Sequence, residues 1–569
     1  MKFAAALTFV AIAGMVLAPL AVAQDEHPGA PLRLVPPPPV PDRDAVPTPP
    51  PAPQTPAGIG TIDLGPLDPS WADALPKGEA ALPPDMWQGT SRGIVRGLLP
   101  LVGPNDSPAA RALARRLLLS GAAAPPGADP ADAPSLVLLR AEALTRLGAF
   151  AGARTVLGNF PADKRGEAAA RLRIELDFAG NDITGGCGRV AAGIAQNRNV
   201  WWDQANVACL LLSGERDKAA LALDIMHDNS AAPDPVFDTL VAGASGHAAR
   251  LDKKTVLTPL RATLWAMSKR PLPAETIAAM DAATAAAYAG SLAPLPLRLA
   301  AAERAASLGA WPPEQLAALY GKMSFTDAER ANAFGNDNTA DTPQGRAVLF
   351  ALAQNGDAAP RAHALALFLG GAARHGFYFA AARMAAPIIA ALAPGDATKD
   401  TAPQFIRALI AADRAKEIAP WLTLAGGPAM PLAVAARAVD GARPDVKAAG
   451  EALAALELRS NDSTRAIGVY LMLMSDYGTE PASSELAAQI AAPSPSAMPS
   501  AALWLALQRA VAGHRRGETI LAALAVAQEG GRLNTEPIVA QRVLSALRDA
   551  GLDADARSLA RDEAVASGL

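Results

Sequence analysis

Apolar residues recur at intervals of three and four along most of the chain. Over residues 136–147 they include Leu136, Leu139 and Leu144, which fall on one face of a helix with 3.6 residues per turn. Gly148 follows at the point where a residue with positive φ commonly ends a helix. The pattern therefore predicts an amphipathic helix that stops at Gly148.

The same arrangement returns along the chain and predicts helical hairpins. Apolar helical stretches end at Gly148, Gly180 and Gly214, which are 32 and 34 residues apart. A small residue stands five places after each turn glycine, where two antiparallel helices approach most closely and a bulky side chain would separate them. The predicted pairs are Gly148 with Ala153, Gly180 with Gly185, Gly214 with Ala219, Gly376 with Ala381, and Gly551 with Ala556.

A hairpin of this kind cannot bury both of its faces, so hairpins must stack. We therefore predict an all-α fold, an α-solenoid or superhelix of antiparallel helical hairpins. Its expected regions are residues 88–333, 346–492 and 500–569, divided by a polar break at Phe334–Gly345 and a proline-rich break at Pro493–Pro499. Later helices are predicted at Leu295–Leu308, Pro312–Lys322, Arg361–Arg374, Tyr378–Leu392, Ala501–Ala512, Glu518–Gln528, Glu536–Ala550 and Asp553–Ala566.

Two local motifs carry a family resemblance. Leu147-Gly148-Ala149-Phe150 with Ala153, and Gly376-Phe377-Tyr378 with Ala381, resemble the helix-turn-helix core of tetratricopeptide repeats over about Ser135–Asp228 and in scattered later hairpins. The resemblance implies a divergent repeat array and carries over no ligand residue. The composition and expected architecture are also similar to the superhelical domain of soluble lytic transglycosylases.

The first 87 residues differ from the rest. Residues 1–23 have Lys2, an apolar run and Ala21-Val22-Ala23, which predict a secretory signal peptide cleaved before Gln24. The alternative is an uncleaved signal anchor. Residues 24–87 read as a largely disordered linker: 13 prolines in residues 24–56 disfavour helix and sheet, while partial order is expected near Trp71 and Trp87.

Composition narrows the function classes. Of 569 residues, 135 are alanine and 51% are hydrophobic, which excludes global disorder. The formal net charge of −4 excludes a strongly basic protein that binds nucleic acid. No stretch after the signal is long and apolar enough to span a membrane, so no stable membrane insertion is expected after cleavage.

The two cysteines suggest a disulfide. Cys187 and Cys209 are predicted on neighbouring helices of adjacent hairpins, and an exported chain meets an oxidising compartment. Two buried free thiols are the alternative.

Known catalytic and metal-binding motifs are absent from the sequence. The six histidines form no H-E-x-x-H pair, and the sequence contains no P-loop, nucleophile elbow or S-x-x-K motif. Lytic transglycosylases carry their catalytic glutamate in a Glu-Ser pair, and this chain has none. We predict no catalytic residue, no metal site and no cofactor.

Candidate binding features are few. The adjacent Trp201 and Trp202 cannot both face one core, so one is exposed for a partner or both are wedged between hairpins. Arg111, Arg115 and Arg116 predict a basic helical face that meets acidic partners or solvent.

These features favour a non-enzymatic periplasmic or secreted solenoid that scaffolds or binds another cell-envelope component. The expected partner is an envelope protein or peptide, or peptidoglycan, with no role for nucleic acid. The alternatives are a peptidoglycan-active protein related to lytic transglycosylases and a solenoid tethered to the membrane by an uncleaved signal.

Overall fold

The protein is all-helical wherever the structure describes it. A computed structural model describes residues 68–161, 166–229, 233–335, 338–426, 430–458, 463–479, 498–529 and 536–569, and these contain 27 α-helices and no strand. The predicted signal peptide, most of the proline-rich segment and residues 493–497 of the second predicted break lie outside the described residues. The all-α prediction is confirmed.

The helices follow one another in short segments joined by tight turns. Their bounds are α1 Arg92–Leu98, α2 Pro108–Leu119, α3 Leu136–Arg146, α4 Phe150–Asn159, α5 Gly166–Ala179, α6 Ile183–Gly193, α7 Val200–Leu212, α8 Arg216–Asn229, α9 Pro235–Ala244, α10 Pro259–Ala266, α11 Ala274–Ala279, α12 Ala282–Gly290, α13 Leu295–Ser307, α14 Pro313–Gly321, α15 Asp327–Asn332, α16 Pro343–Gln354, α17 Ala358–Arg374, α18 Tyr378–Ala390, α19 Ala402–Ala411, α20 Ala419–Ala425, α21 Met430–Val439, α22 Val446–Glu457, α23 Ser463–Tyr477, α24 Ala501–Ala512, α25 Arg516–Gln528, α26 Pro537–Asp549 and α27 Asp553–Ala566.

Most helices pack against the next one, as the hairpin pattern predicts. The pairs α3 with α4, α5 with α6, α7 with α8, and α16 with α17 are among the most extensive contacts. The predicted helices agree with the observed ones to within a few residues, and α24 and α27 agree at both ends. Helical periodicity was therefore a reliable guide to the hairpins.

The hairpin turns share one backbone geometry. At the end of α3, Gly148 has φ +73°, its N–H donates to the Thr145 carbonyl (3.0 Å), and the next N–H donates to the Leu144 carbonyl (2.9 Å). These two hydrogen bonds form a Schellman motif, which satisfies carbonyls left unpaired at a helix end. Gly214, Gly376 and Gly551 also have positive φ and the same pair of bonds.

The turn predicted at Gly180 is wrong by one residue. Asn181 takes the left-handed conformation there, with φ +60°, and the Asp182 N–H donates to the Asp177 carbonyl (2.8 Å). Asparagine is one of the residues that tolerate this conformation, because its short polar side chain bonds locally. The glycine was therefore a misleading marker of the turn.

The small residue after each turn is buried in its hairpin. In the α5–α6 hairpin its position is shifted by one residue, as the turn is. Ala153, Ala219, Ala381 and Ala556 are all buried. In the α5–α6 hairpin the buried position is Gly186, where an added Cβ would lie 3.0 Å from the Phe178 ring, and not the predicted Gly185. In each of these hairpins, a buried small residue therefore stands five positions after the residue with the left-handed conformation.

The described residues belong to one compact unit, and the predicted breaks do not divide them. The polar break at Phe334–Gly345 is crossed by a buried ion pair, in which Arg346 of α16 donates to Glu303 of α13 through Nε (3.0 Å) and Nη2 (2.5 Å). Tyr320 of α14 donates to the same carboxylate (2.5 Å). The two sides of the break are therefore packed together.

The packed part begins before residue 88. Trp71 and Trp87 are buried with their rings 4.6 Å apart, as the expected partial order of this segment required. Arg140 of α3 donates through Nε to the Leu118 carbonyl (2.6 Å) and through Nη1 to the Ala72 carbonyl (2.9 Å). Desolvation lowers the pKa of Arg140 to about 9. This side chain joins the lead-in segment to the first helices.

The last helix returns to the first ones. Helix α27 packs against α2, α19 and α21, and α25 packs against α1 and α2. The buried Asp562 carboxylate of α27 accepts a hydrogen bond from the Ser107 hydroxyl and one from the Ala109 N–H (2.9 Å) at the start of α2. The series of hairpins is therefore closed, and both of its described ends have helical neighbours.

The contact between two hairpin turns can be tested with matched glycine substitutions. A Cβ at Gly148 would lie 2.6 Å from the Ala310 Cα, whereas a Cβ at Gly376 would meet nothing within 4 Å. Both have positive φ, so alanine at either position costs about 1–2 kcal/mol of backbone strain. We expect Gly148→Ala to lower the thermal unfolding midpoint clearly more than Gly376→Ala. Equal shifts would contradict the packing of this turn on Ala310.

Candidate functional site

The two cysteines form a disulfide. Cys187 of α6 and Cys209 of α7 are bonded, with their Cα atoms 5.4 Å apart, and no free cysteine remains. The bond joins the second helix of one hairpin to the first helix of the next, as predicted. Such bonds persist mainly in oxidising compartments.

The two adjacent tryptophans have different environments. Trp202 is buried, and its Nε1–H donates to the Glu167 carboxylate (3.1 Å). Trp201 is partly exposed, and the Arg171 guanidinium lies 4.7 Å from its ring centroid. Trp202 is thus a packing residue, and only Trp201 offers surface to a partner.

The predicted basic face on α2 is used inside the fold. Arg115 pairs with Glu79 (2.7 Å), and Arg116 pairs with Asp555 of α27 (2.7 Å). Arg111 donates to the Ser307 carbonyl (3.1 Å). These arginines join separate parts of the chain, so they do not form a binding site for an acidic partner.

A cavity of about 200 Å³ lies where the chain closes, between α2, α13, α18 and α27. Arg407 lies 4.9 Å from the Tyr378 ring centroid and donates to the Val565 carbonyl (2.9 Å). Loss of water raises the pKa of Tyr378 to about 12, so its hydroxyl stays protonated. The Arg407 guanidinium therefore joins α19 to α27 at this point.

One acid has a strongly shifted pKa. Desolvation raises the pKa of Glu175 on α5 to about 7. Its Oε2 accepts a hydrogen bond from the Leu260 N–H (2.9 Å) at the start of α10, which keeps the shift from being larger. The negative charge of Asp281 adds to the increase.

Among described residues, no group of three or more His, Cys, Asp or Glu side chains is arranged to hold a metal ion.

An open groove of about 920 Å³, which we call the basic groove, lies beside α10 and α11. One wall is formed by residues 249–253, in the loop between α9 and α10, and the other by residues 270–273 and Glu275, at the start of α11. Trp265 of α10 contributes to its lining. Here two connecting segments, and not two helix faces, enclose a space.

Five cationic residues lie in or beside the basic groove. They are Arg250, Lys253, Lys254, Lys269 and Arg270, all exposed. Within the part of the chain that the structure describes, none of them forms an ion pair with a carboxylate. The Arg270 guanidinium donates only to the His247 carbonyl (3.4 Å). Residues 247–270 contain six Lys or Arg against one Asp, in a chain with a formal net charge of −4.

The walls of the groove are held in place from below. Leu251, Leu257 and Leu272 are buried, and the Thr276 hydroxyl donates to the Lys253 carbonyl (3.4 Å). Lys269 has φ +55°, a conformation that costs a lysine about 1–2 kcal/mol. The other non-glycine residues with positive φ in the described chain are Asn, Asp and His, which tolerate it better. Backbone strain of this kind is concentrated at functional sites.

Trp265 has an unused hydrogen-bond donor. Its side chain is 1% exposed, and its Nε1–H has no acceptor among the described residues. An added Cβ at Gly243 would lie 2.9 Å from the Trp265 ring, so the glycine in α9 makes room for the indole. An unpaired donor in an otherwise apolar setting costs about 1–3 kcal/mol.

The basic groove was not predicted from the sequence. The signal in the sequence was the charge excess of residues 247–270, including three of the chain's lysines within 17 residues. Charge density alone does not separate these residues from Arg111, Arg115 and Arg116, which find partners far away in sequence. Only the folded structure shows which cations have carboxylate partners.

No protein-family model, curated protein or solved structure matches this chain. None of the described helices has the length and apolar content needed to cross a membrane.

The disulfide predicts a redox-dependent stability. Reduction opens a cross-link between residues 22 apart, which should lower the free energy of unfolding by about 3 kcal/mol. Thiol labelling of the denatured protein should detect no thiol before reduction and two afterwards. The Cys187→Ser/Cys209→Ser double variant should unfold at the same lower temperature with or without reductant. A wild-type midpoint that is insensitive to reductant would contradict the expectation.

Glu175 predicts a pH dependence of stability. Its folded pKa of about 7 lies above the value of about 4.3 for an unfolded chain, so its stabilising contribution is complete below about pH 4 and is lost as pH rises through 7. Glu175→Gln keeps an acceptor for the Leu260 N–H but cannot ionise. Relative to wild type, the variant should gain on the order of 1–3 kcal/mol between pH 5 and pH 8. Parallel stability profiles for the two proteins would contradict the shift.

Proposed function

We propose that this protein is an exported, non-enzymatic α-solenoid that scaffolds or binds another component of the cell envelope. It would be a tetratricopeptide-like repeat array without a cofactor, acting in the periplasm or outside the cell. The basic groove would be its binding surface. The observation that carries the proposal is a large open groove with exposed cations that lack carboxylate partners in the described chain.

Three further features support the proposal. The signal-like residues 1–23 and the disulfide fit an oxidising compartment outside the cytoplasm. The closed array is a fixed platform for a groove, because α27 and α2 hold its ends together. Repeat arrays commonly bind peptides and proteins on extended surfaces.

Peptidoglycan activity is a second candidate, and the raised pKa of Glu175 is the observation in its favour. A carboxyl group with a pKa of about 7 is partly protonated at neutral pH, as a general acid requires. Its Oε2 is occupied by the Leu260 N–H, and Glu175 does not line the basic groove. These two contacts favour a structural role for Glu175 over a catalytic one.

The experiment is incubation of the mature protein, starting at Gln24, with purified peptidoglycan sacculi. Pelleting and released muropeptides are measured together. For the binding function we expect pelleting without release, or crosslinking in the periplasm to a specific envelope protein. Glu175→Gln is the matched control, because it leaves the groove unchanged.

Release of muropeptides that Glu175→Gln abolishes would overturn the non-enzymatic proposal in favour of the second candidate. If the protein shows no pelleting, no muropeptide release and no specific crosslink, the envelope-binding proposal itself is overturned. The N-terminal mass of the exported protein separates a cleaved signal, which begins the chain at Gln24, from an uncleaved anchor.

A further inference from the structure

We propose that the basic groove binds an extended peptide segment that carries several carboxylates. The inference rests on the proposed function and adds the chemistry of the partner. It assigns Lys253 and Lys269, together with Arg250 and Arg270, to the recognition of carboxylates, and Trp265 to the lining of the site.

The unpaired charges are the first argument. Most other arginines that anchor this fold have acceptors, as Arg116 has in Asp555 and Arg346 has in Glu303. The groove cations have no such carboxylate in the described chain, and they are gathered around one concavity. A concave surface with an excess of one sign of charge attracts ligands of the opposite sign, and three cations face two acids in this lining. Carboxylates would supply the missing partners.

The form of the site favours a linear ligand. Arg250, Lys253 and Arg270 line a groove of about 920 Å³, and Lys254 and Lys269 are next to lining residues in the chain. A flat bilayer surface cannot enter such a groove, whereas an extended chain can lie along it. The lining also includes Leu251, Leu272 and Trp265, which offer apolar contact beside the charges. A peptide carries both kinds of group, since acidic and apolar side chains occur along one chain.

Two acidic residues favour carboxylates over a phosphate polymer. Asp252 lies between Arg250 and Lys253 in the loop, and Glu275 lies on the opposite wall. A phosphate polymer bears a charge on every unit, so some of its phosphates would face these acids and be repelled. A peptide can place neutral residues there and acidic residues opposite the lysines. The mixed charges of the groove therefore select a ligand with spaced charges.

The groove is prepared for binding. Buried Leu251 and Leu257 fix the loop, and the bonds to the Lys253 and His247 carbonyls join the two walls to their neighbours. The Lys269 backbone is held in a conformation that a free lysine avoids. Fixed backbones reduce the ordering cost of binding to that of the side chains.

The test uses the full mature protein and a fluorescent peptide in which single glycines separate successive glutamates, which we call the acidic peptide, with binding followed by fluorescence anisotropy. We expect Lys253→Glu/Lys269→Glu to weaken binding by roughly tenfold or more, because two attractions become repulsions. The matched control is Lys218→Glu/Lys447→Glu, which makes the same change in net charge at side chains that are 73% and 85% exposed. The control should bind within about twofold of wild type, and wild-type binding should weaken as salt is raised.

Trp265→Phe adds a second readout. It keeps an aromatic ring in the lining but removes the Nε1–H. This change breaks no hydrogen bond within the described protein. Because the indole is 1% exposed and its Nε1–H is buried, we expect peptide binding and its salt dependence to stay within about twofold of wild type, and a larger loss in the folded variant would contradict recognition by charge. Circular dichroism and the unfolding midpoint establish that each variant is folded; if Trp265→Phe fails to fold, the exposed lysine variants carry the test alone.

Equal losses in both double-lysine variants, or no loss in either, would overturn the groove assignment. Tighter, groove-dependent binding to inorganic polyphosphate or to anionic phospholipid vesicles would overturn the peptide assignment.

If sacculus pelleting also depends on Lys253 and Lys269, the carboxylates are those of peptidoglycan peptides. If only binding of the acidic peptide depends on them, the source is an acidic protein segment. If the lysine variants bind the acidic peptide normally while sacculi still pellet, the further inference fails and the proposed function stands.

Discussion

The carboxylate of Asp562 holds the start of α2 against the last helix, and much of the architecture depends on this closure. It accepts hydrogen bonds from the Ser107 hydroxyl and the Ala109 N–H, at the start of a helix that begins more than 400 residues earlier. An array rich in alanine buries little apolar surface at each position, and its stability has to come from many interfaces. Closure gives the terminal hairpins neighbours on both sides, which an open array would leave exposed.

Local geometry explains why the hairpins could be predicted from the sequence. The left-handed residue at a Schellman turn and the small residue five positions later are both constraints within one hairpin, so they leave a pattern in the sequence. The α5–α6 hairpin shows the limit of the method. Gly180 stood where the pattern required glycine, but Asn181 can adopt the same φ, and the small residue moved with it to Gly186. More than one residue type meets the constraint, so letters alone do not fix the turn.

Contacts between distant hairpins leave no such pattern. Nothing near Phe334–Gly345 shows that Glu303 and Arg346 join across it, so a polar segment was mistaken for a division. Arg116 and Asp555 are 439 residues apart, and their pairing depends on closure. For the same reason the basic groove was not predicted. The excess of Lys and Arg in residues 247–270 was visible, but whether a cation is paired is a property of the whole fold.

Closure and the basic groove are connected through the use of charge. Arginines on α2, α3 and α16 donate to carboxylates and carbonyls inside the array, where their planar groups make several bonds at once. Three of the five groove cations are lysines, and a lysine on a flexible stem suits an exposed site that meets a partner with variable spacing of charges. Several arginines therefore join helices within the fold, while Arg250, Lys253 and Arg270 remain exposed in the groove lining. A surface of this kind combines walls that are fixed by the fold with side chains that still adjust to a ligand.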